Sequence, residues 1–408
     1  MNAPPPWRIG HGRLNMTGIR TGTKRLTFGA ALAVAGVIAA GTVSTAAAKE
    51  AWEAEWDKIV AAAKKEGVVV VSGPPGAFQR QAITTGWAKA YPDIRLEYTG
   101  ARGTQIIAKV VRERTSGIYN WDVVLASTSP TVFSLVPINA LAPLRDAIVR
   151  PDILDDKTWI GGFDSGFMDK EKKYFFNAMG TAGQALGYAN RDCVSKDVFS
   201  SSADMMKPEL RGKIVWYDPT RPGTGSRGTW VLSLAQGKDW LKKLYQTQGV
   251  IFSRDYRQMT DFLVSCRVSV AIGMPNDVLE QMQKQGIGTN VEELSGPAYF
   301  GKYDPGGAGG NESVGWYNNA PHPNAAKVFV NWYLSKDFQQ AYASAVKDNS
   351  RRVDTKPQDP NPAHAMKQGE TYHNWANEEA TVQIKALQDD IRGWGVLKGL
   401  KGKKKKGR

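Results

Sequence analysis

Short valine-rich runs alternate with helical stretches through the early part of the sequence, and that alternation limits the fold more than any other feature. Val68-Val-Val-Val71 reads as a buried strand, Ile94-Arg-Leu-Glu-Tyr98 as a second, and Asp122-Val-Val-Leu-Ala126 as a third. Between them lie segments with helical spacing. Trp52, Trp56, Ile59, Val60 and Ala63 share one face of a helix that Gly67 ends; a second helix passes Trp87 and Ala90 and stops at Pro92; a third covers residues 104–114. This order predicts an α/β chain with a mostly parallel sheet covered on both faces. In such sheets ligands bind beyond the carboxyl ends of the strands. Three loops therefore gather at one rim, residues 72–76, 100–103 and 127–129, and they contribute Ser72, Gly73, Arg102, Gly103, Ser127 and Thr128. These are hydrogen-bond donors and open backbone rather than a catalytic set.

A second α/β unit follows. Leu186-Gly-Tyr-Ala-Asn190 is a candidate strand, and Lys213-Ile-Val-Trp-Tyr-Asp218 leads through a Pro/Gly-rich loop into a helix expected to start near Ser226. A helix start carries unpartnered N–H groups and partial positive charge. Gly223 and Gly225 remove Cβ atoms there, Thr224, Ser226 and Thr229 add hydroxyls, and Arg227 adds a forked cation. Together they read as a cradle for a small anion. The bland alternative is a glycine-rich turn with no ligand.

Gly223, Gly225 and Gly228 also match the G-x-G-x-x-G dinucleotide pattern, but Pro219 and Pro222 separate them from the strand and no acidic residue closes a following strand at the required distance. No Lys-Ser/Thr pair makes the loop a Walker motif. Further on, Val268-Ser-Val-Ala-Ile272 reads as a strand closed by Gly273-Met-Pro-Asn-Asp277. The glycine-rich stretch Asp304-Pro-Gly-Gly-Ala-Gly-Gly310 precedes Ser313-Val-Gly-Trp-Tyr317, and the Pro-rich, polar region 351–373 is expected to wrap the surface.

The formal charge of +14 suggests a nucleic-acid binder until its location is examined. Residues 1–48 hold five Lys/Arg and the last eleven residues hold seven, with no acid in either end, so the body carries 41 basic against 39 acidic residues. A nucleic-acid surface places its charge on the folded body, so that class is set aside. The tail 398–408 reads as a solvated, disordered end, with a weak hold on anionic lipid as the alternative.

Near the start, Lys24-Arg25 precede an apolar run from Phe28 to Ala40, and Ala46-Ala-Ala48 follows. This is the pattern of a secretory signal with the mature chain beginning at Lys49, an uncleaved anchor being the alternative. Thr23-Lys-Arg-Leu-Thr-Phe28 also resembles a twin-arginine signal with one Arg replaced. The remaining length of about 360 residues suits two α/β domains. The two cysteines, Cys193 and Cys266, fit either one disulfide in an oxidising compartment or two buried thiols.

Four stretches together resemble the periplasmic solute-binding proteins of ABC importers, in the ferric-iron and polyamine-like group. They are Pro208-Glu-Leu-Arg-Gly-Lys213 with its Asp218-Pro219 and Gly-Thr-Gly, Tyr188-Ala-Asn190, Trp121-Asp-Val-Val124, and Ala320-Pro-His-Pro-Asn-Ala-Ala-Lys327 followed by Phe329, Trp332 and Leu334-Ser335. The resemblance covers most of residues 50–350. It implies two lobes, each a mostly parallel sheet with flanking helices, joined by two crossing strands: residues 49–186 and 312–397 in the first lobe, 187–311 in the second. It also implies a monomer in the periplasm that holds a small-molecule solute between the lobes and delivers it to a membrane permease. The same fold serves as a sensor. Five loops then face one cleft, and Tyr188, Asn276, Asp277 and Glu312 join the rim residues as candidate ligand contacts.

The chain departs from the ferric-iron members in having no Tyr-Tyr pair. Hard ferric iron needs anionic oxygen ligands, so a small organic anion fits Arg102 and Arg227 better, and Asp277 or Glu312 would meet an amine on a zwitterion. Ferric-iron transport remains the alternative. An exported nucleotide-dependent oxidoreductase is the competing class, kept alive by the glycine pattern and the signal. No H-E-x-x-H, G-x-S-x-G or C-x-x-C motif occurs, and no enzyme activity, metal or resident cofactor is expected.

Overall fold

The computed structural model describes residues 51–182, 186–304, 312–397 and 400. The expected signal (1–48), residues 305–311 of the glycine-rich stretch and nearly all of the basic tail lie outside the described residues. Two five-stranded sheets form the framework. The first is ordered β2(Arg95–Gly100), β1(Val68–Gly73), β3(Val123–Ala126), β11(Ser313–Trp316), β4(Phe176–Asn177). The second is ordered β7(Ile251–Ser253), β6(Ile214–Tyr217), β8(Val270–Ile272), β5(Gly187–Asn190), β9(Val291–Leu294). A short parallel pair joins β10(Tyr303–Asp304) to β12(His373–Asn374).

Both sheets follow one plan. Three strands linked by helices lie parallel in the order second, first, third, as Val71 beside Val123 and Trp216 beside Ile272 illustrate. The fourth strand comes from elsewhere in the chain and runs antiparallel: Gly315 opposite Val124 in one sheet, Tyr188 opposite Ala271 in the other. The sheets are therefore mixed rather than mostly parallel, because each lobe closes its sheet with a strand from a chain crossing. This is the two-lobed α/β architecture.

Two sequence motifs meet behind the first sheet. Asp122 is fully buried, and its carboxylate accepts hydrogen bonds from the Val70 and His322 backbone N–H groups at 2.7 and 2.8 Å and pairs with His322 Nδ1 at 2.9 Å. The Trp121-Asp122 stretch thereby fixes the start of the Pro323–Tyr333 helix. That helix presents Phe329 and Trp332 to Trp87 at ring separations of 5.3 and 5.2 Å, forming the aromatic core behind β1. Contacts of this kind contribute about 0.5–1.5 kcal/mol each beyond the area they bury.

The chain crosses between lobes twice, and Arg351 holds the crossings together. Its guanidinium pairs with Asp304 on the second crossing, and its backbone N–H donates to Ala178 O on the first at 2.7 Å. Asp304 also accepts from Thr181 N at 3.3 Å. Both charged side chains are almost completely buried. Region 351–373 is thus no mere surface wrap: Arg351 and Arg352 plunge inward, Arg352 meeting Asp152, Asp354 and the Leu334 carbonyl. His364 pins the same region to the second sheet through Glu293 at 3.0 Å and to Asp359 at 2.9 Å. Burial opposes charge on that imidazole, but the two carboxylates outweigh it and raise its pKa.

Cys193 and Cys266 form a disulfide, which decides the alternative left open above. It ties the exit of β5 to the end of the Tyr256–Val264 helix, 73 residues apart. Glu312, expected to meet an amine, lies instead beneath the start of β11, 1% exposed, with neither carboxyl oxygen partnered among the described residues. Tyr333 donates to its backbone carbonyl at 2.9 Å. Burial first, and the charge of Asp348 second, push its carboxyl up to about 8.

Three outcomes test this framework. Arg351→Ala should cost roughly 3–5 kcal/mol in urea unfolding, because it leaves Asp304 buried without its cation. Reducing the disulfide should lower stability by roughly 2–4 kcal/mol in the same assay. Folded Glu312 keeps its proton from about pH 4.3, where the unfolded chain loses it, up to about 8, so stability falls as pH rises through that window. Glu312→Gln should remove this loss, gaining on the order of 2–4 kcal/mol at pH 8.5 and little at pH 4.5.

Candidate functional site

The helix at the centre of the site starts two residues earlier than expected, as Thr224–Gln236. Its N-cap is Gly223 at φ 136°, so no side chain closes its first turn. The other glycines of the pattern answer to packing. A Cβ on Gly225 would lie 2.4 Å from the Tyr217 carbonyl oxygen, and one on Gly273 would lie 2.6 Å from the Gly225 Cα. Gly228 lies against Ile272, where a Cβ would approach to 3.2 Å. The G-x-G-x-x-G match thus has a structural cause: the helix start is pressed onto the ends of β6 and β8. Thr224 Oγ1 donates to Gly273 O at 2.6 Å and Ser226 Oγ to Gly223 O at 3.0 Å. Those two hydroxyls hold the turn together instead of standing free.

Arg227 is different. Its guanidinium carbon lies over the Trp375 ring, 3.5 Å from the ring centre, and among the described residues no carboxylate or carbonyl accepts from it. Burial pushes its pKa down to about 10, so it remains cationic at neutral pH. It faces a cavity of about 480 Å³, within the range of small-molecule sites. The wall from the first sheet is Ser127, Thr128 and Ser129, at the start of the Thr128–Leu135 helix; the wall from the second is Pro222, Gly223, Ser226 and Arg227. Thr128 is 2% exposed and its hydroxyl has no partner among the described residues.

The third wall comes from the C-terminal segment, which supplies Trp375, Ala376, Thr381, Ile384, Lys385, Gln388, Asp389 and Arg392. Sequence reasoning missed all of these. The signal was present: Ala380, Ile384, Leu387 and Ile391 recur at helical spacing after the Pro-rich region, and they form the inner face of the Glu378–Gly393 helix. Three lining cations, Arg227, Lys385 and Arg392, face one carboxylate, Asp389, which pairs with Arg392.

The remaining expected contacts scatter. Arg102 and Gly103 line a neighbouring hollow of about 320 Å³ with Pro74 and Pro75, and Ser127 borders both spaces. Ser72 is fully buried at the end of β1, and Gly73 gives room to Tyr98, whose hydroxyl would lie 2.3 Å from a Cβ there. Tyr188 packs into the core of the second sheet with Val215 and Met259. Asn276 donates to Glu280 at 2.7 Å, Asp277 opens the short Asp277–Gln283 helix, and Glu312 belongs to the first lobe's interior. None of Ser72, Gly73, Tyr188, Asn276 or Glu312 lines the cavity around Arg227.

The tyrosines of the second sheet bear on the iron question. Tyr217 and Tyr256 stack with ring centres 4.4 Å apart, and burial first, then the hydrogen bond between them, raises the Tyr217 pKa. Tyr217 is thereby favoured as the neutral phenol. Among the described residues no group of three His, Cys, Asp or Glu is placed to hold a metal ion.

Known folds match this architecture along the whole of their length. A putative extracellular solute-binding protein from Bordetella parapertussis aligns with a TM-score of 0.60 at 11% identity, over 81% of this chain and 99% of that one. A Trichodesmium protein in complex with iron and citrate aligns at 0.58 and 12%, over 80% and 100%. Ferric iron-binding protein A of Mannheimia haemolytica, in an open conformation, aligns at 0.58 and 12%, over 81% and 99%. At these identities the likeness is one of fold. No curated protein matches the sequence. The bacterial extracellular solute-binding protein family matches residues 72–340, about two thirds of the sequence, and the chain belongs to that family.

Proposed function

We propose that the protein is the substrate-binding component of an ABC importer that captures a small organic anion between its lobes and presents it to a membrane permease. It would act outside the cytoplasmic membrane, in the periplasm, where the Cys193–Cys266 disulfide is stable. The observation that carries the reading is Arg227: a guanidinium at an uncapped helix start, shielded on one face by Trp375, with no acceptor among the described residues. A partly buried cation without a counter-charge is costly, and an oxyanion in the cavity would supply both charge and acceptors. The fork of N–H groups suits a carboxylate or phosphonate. Thr128, Gln388 and Lys385 stand in the same cavity as further donors.

Ferric iron is the weaker reading for this chain. Its cavity lining has one carboxylate against three cations and no tyrosine, whereas a hard trivalent cation is held by anionic oxygens. The expected reporting step is closure of the lobes on the ligand, since the cavity draws walls from both sheets.

Native mass spectrometry of residues 49–408 purified from periplasm should show a retained small anion, lost on denaturation. Arg227→Ala should then weaken that anion by roughly 1.5–3 kcal/mol, about 10–150-fold by calorimetry, with the unliganded melting temperature little changed. Arg227→Lys should recover part of the loss. Equal affinity in Arg227→Ala and wild type would take Arg227 out of the site.

A further inference from the structure

The C-terminal segment gives the cavity a character that the two lobes alone do not have. The lobes contribute hydroxyls, backbone, a cation and Pro222; the segment adds the apolar Trp375, Ala376 and Ile384 beside its polar Thr381, Lys385, Gln388, Asp389 and Arg392. Trp375 is 6% exposed, and the face carrying Arg227 is covered by the guanidinium. It acts as a platform that limits how the Arg227 guanidinium can turn at the cavity wall. Its own Nε1 has no partner among the described residues.

The segment is also firmly seated. Trp230 Nε1 donates to Gln383 at 3.0 Å, Arg392 donates to Thr220 O at 2.8 Å, and Lys238 pairs with Asp390, all on the second lobe. At its N-terminal end Glu378 N donates to Met168 O at 2.8 Å, and its carboxylate accepts from Lys170 N at 2.9 Å. Ile384 is therefore a fixed wall residue and not a passing contact.

We infer that the ligand is an amphipathic carboxylate, with its oxyanion on the edge of Arg227 and an apolar, ring-sized body against Ile384, Ala376 and Pro222, and that the C-terminal helix sets this preference. The inference rests on the anion reading above and narrows it. A sugar phosphate held by Arg227 could meet Thr381, Gln388 or Asp389 with some of its hydroxyls, but those brought against the side chains of Ile384, Ala376 and Pro222 would find no partner there, and desolvating them opposes binding. A short carboxylate such as acetate would satisfy Arg227 and leave the apolar wall wet. A phenyl ring covering that wall contributes a further factor on the order of 10–100 in affinity.

The test is calorimetry on residues 49–408, freed of retained ligand by unfolding and refolding with the disulfide intact, using phenylacetate, acetate and glucose 6-phosphate as probes. Phenylacetate should bind at least tenfold tighter than acetate and tighter than glucose 6-phosphate. Ile384→Ala should shrink the phenylacetate-to-acetate ratio about five- to tenfold, and Trp375→Ala should weaken both carboxylates together while Trp375→Phe restores them. If glucose 6-phosphate binds through Arg227 and phenylacetate does not, the apolar body is overturned and the anion reading stands. If all three fail while the refolded protein melts cooperatively, both are overturned.

Discussion

The buried pair of Arg351 and Asp304 is the contact on which the arrangement of the two lobes depends. It lies where the two chain crossings run side by side, and its partners reach both: Asp304 precedes the return to β11, and Thr181 and Ala178 lie on the way to β5. Among the described residues beside the crossings, hydrogen bonds and charge join one to the other. Taking two ions out of water is expensive, and such a pair is retained when it fixes one geometry rather than when it adds stability. Here it fixes the spacing of two sheets whose facing rims form the cavity.

The Glu378–Gly393 helix supplies the second constraint. One continuous hydrophobic cluster runs from Ile107 and Leu135 beside the first sheet, through Trp375, Leu387 and Ile391, to Trp230 and Leu241 beside the second. A helix that buries one face against both lobes cannot remain still when they move. Its polar anchors on the second lobe outnumber those on the first, so it should travel with the second lobe and slide over the Thr128–Leu135 helix. Sliding of packed helices is a recognised mode of closure. On this geometry Trp375 stays with Arg227 throughout, so the stacked pair is kept whether the cleft is open or shut.

Much of this fold was legible because burial leaves a periodic mark. The valine runs at 68–71 and 122–126 and the helical spacing of Trp52, Trp56, Ile59, Val60 and Ala63 fall where strands and a helix form. The fourth strand of the second sheet was legible as a strand in residues 186–190 but not in its direction, and nothing local in Ser313–Trp316 tells that segment to run against β3. Arg227 stood out as a candidate because a helix start and a forked cation coincide in sequence, and it lines the cavity between the sheets. Glu312 and Tyr188 misled for the converse reason: a polar group near a predicted rim looks like a ligand contact, and only the packing shows it turned into the interior. The Trp375 platform was invisible, being 148 positions from the arginine it supports.

The glycine pattern shows why a motif and its chemistry can part. In a dinucleotide site the glycines let a pyrophosphate approach the backbone. Here the approaching group is protein: Gly273 meets Gly225, and Gly225 meets the Tyr217 carbonyl. The same absence of a Cβ serves a close contact in both cases, but one side of the turn is filled by the ends of β6 and β8, and the cavity opens on the side lined by Pro222, Gly223, Ser226 and Arg227. On the proposed reading a ligand there meets a side chain as well as a helix start, and its recognition would depend on how that side chain is held, which returns the question of specificity to Trp375 and the C-terminal segment that carries it.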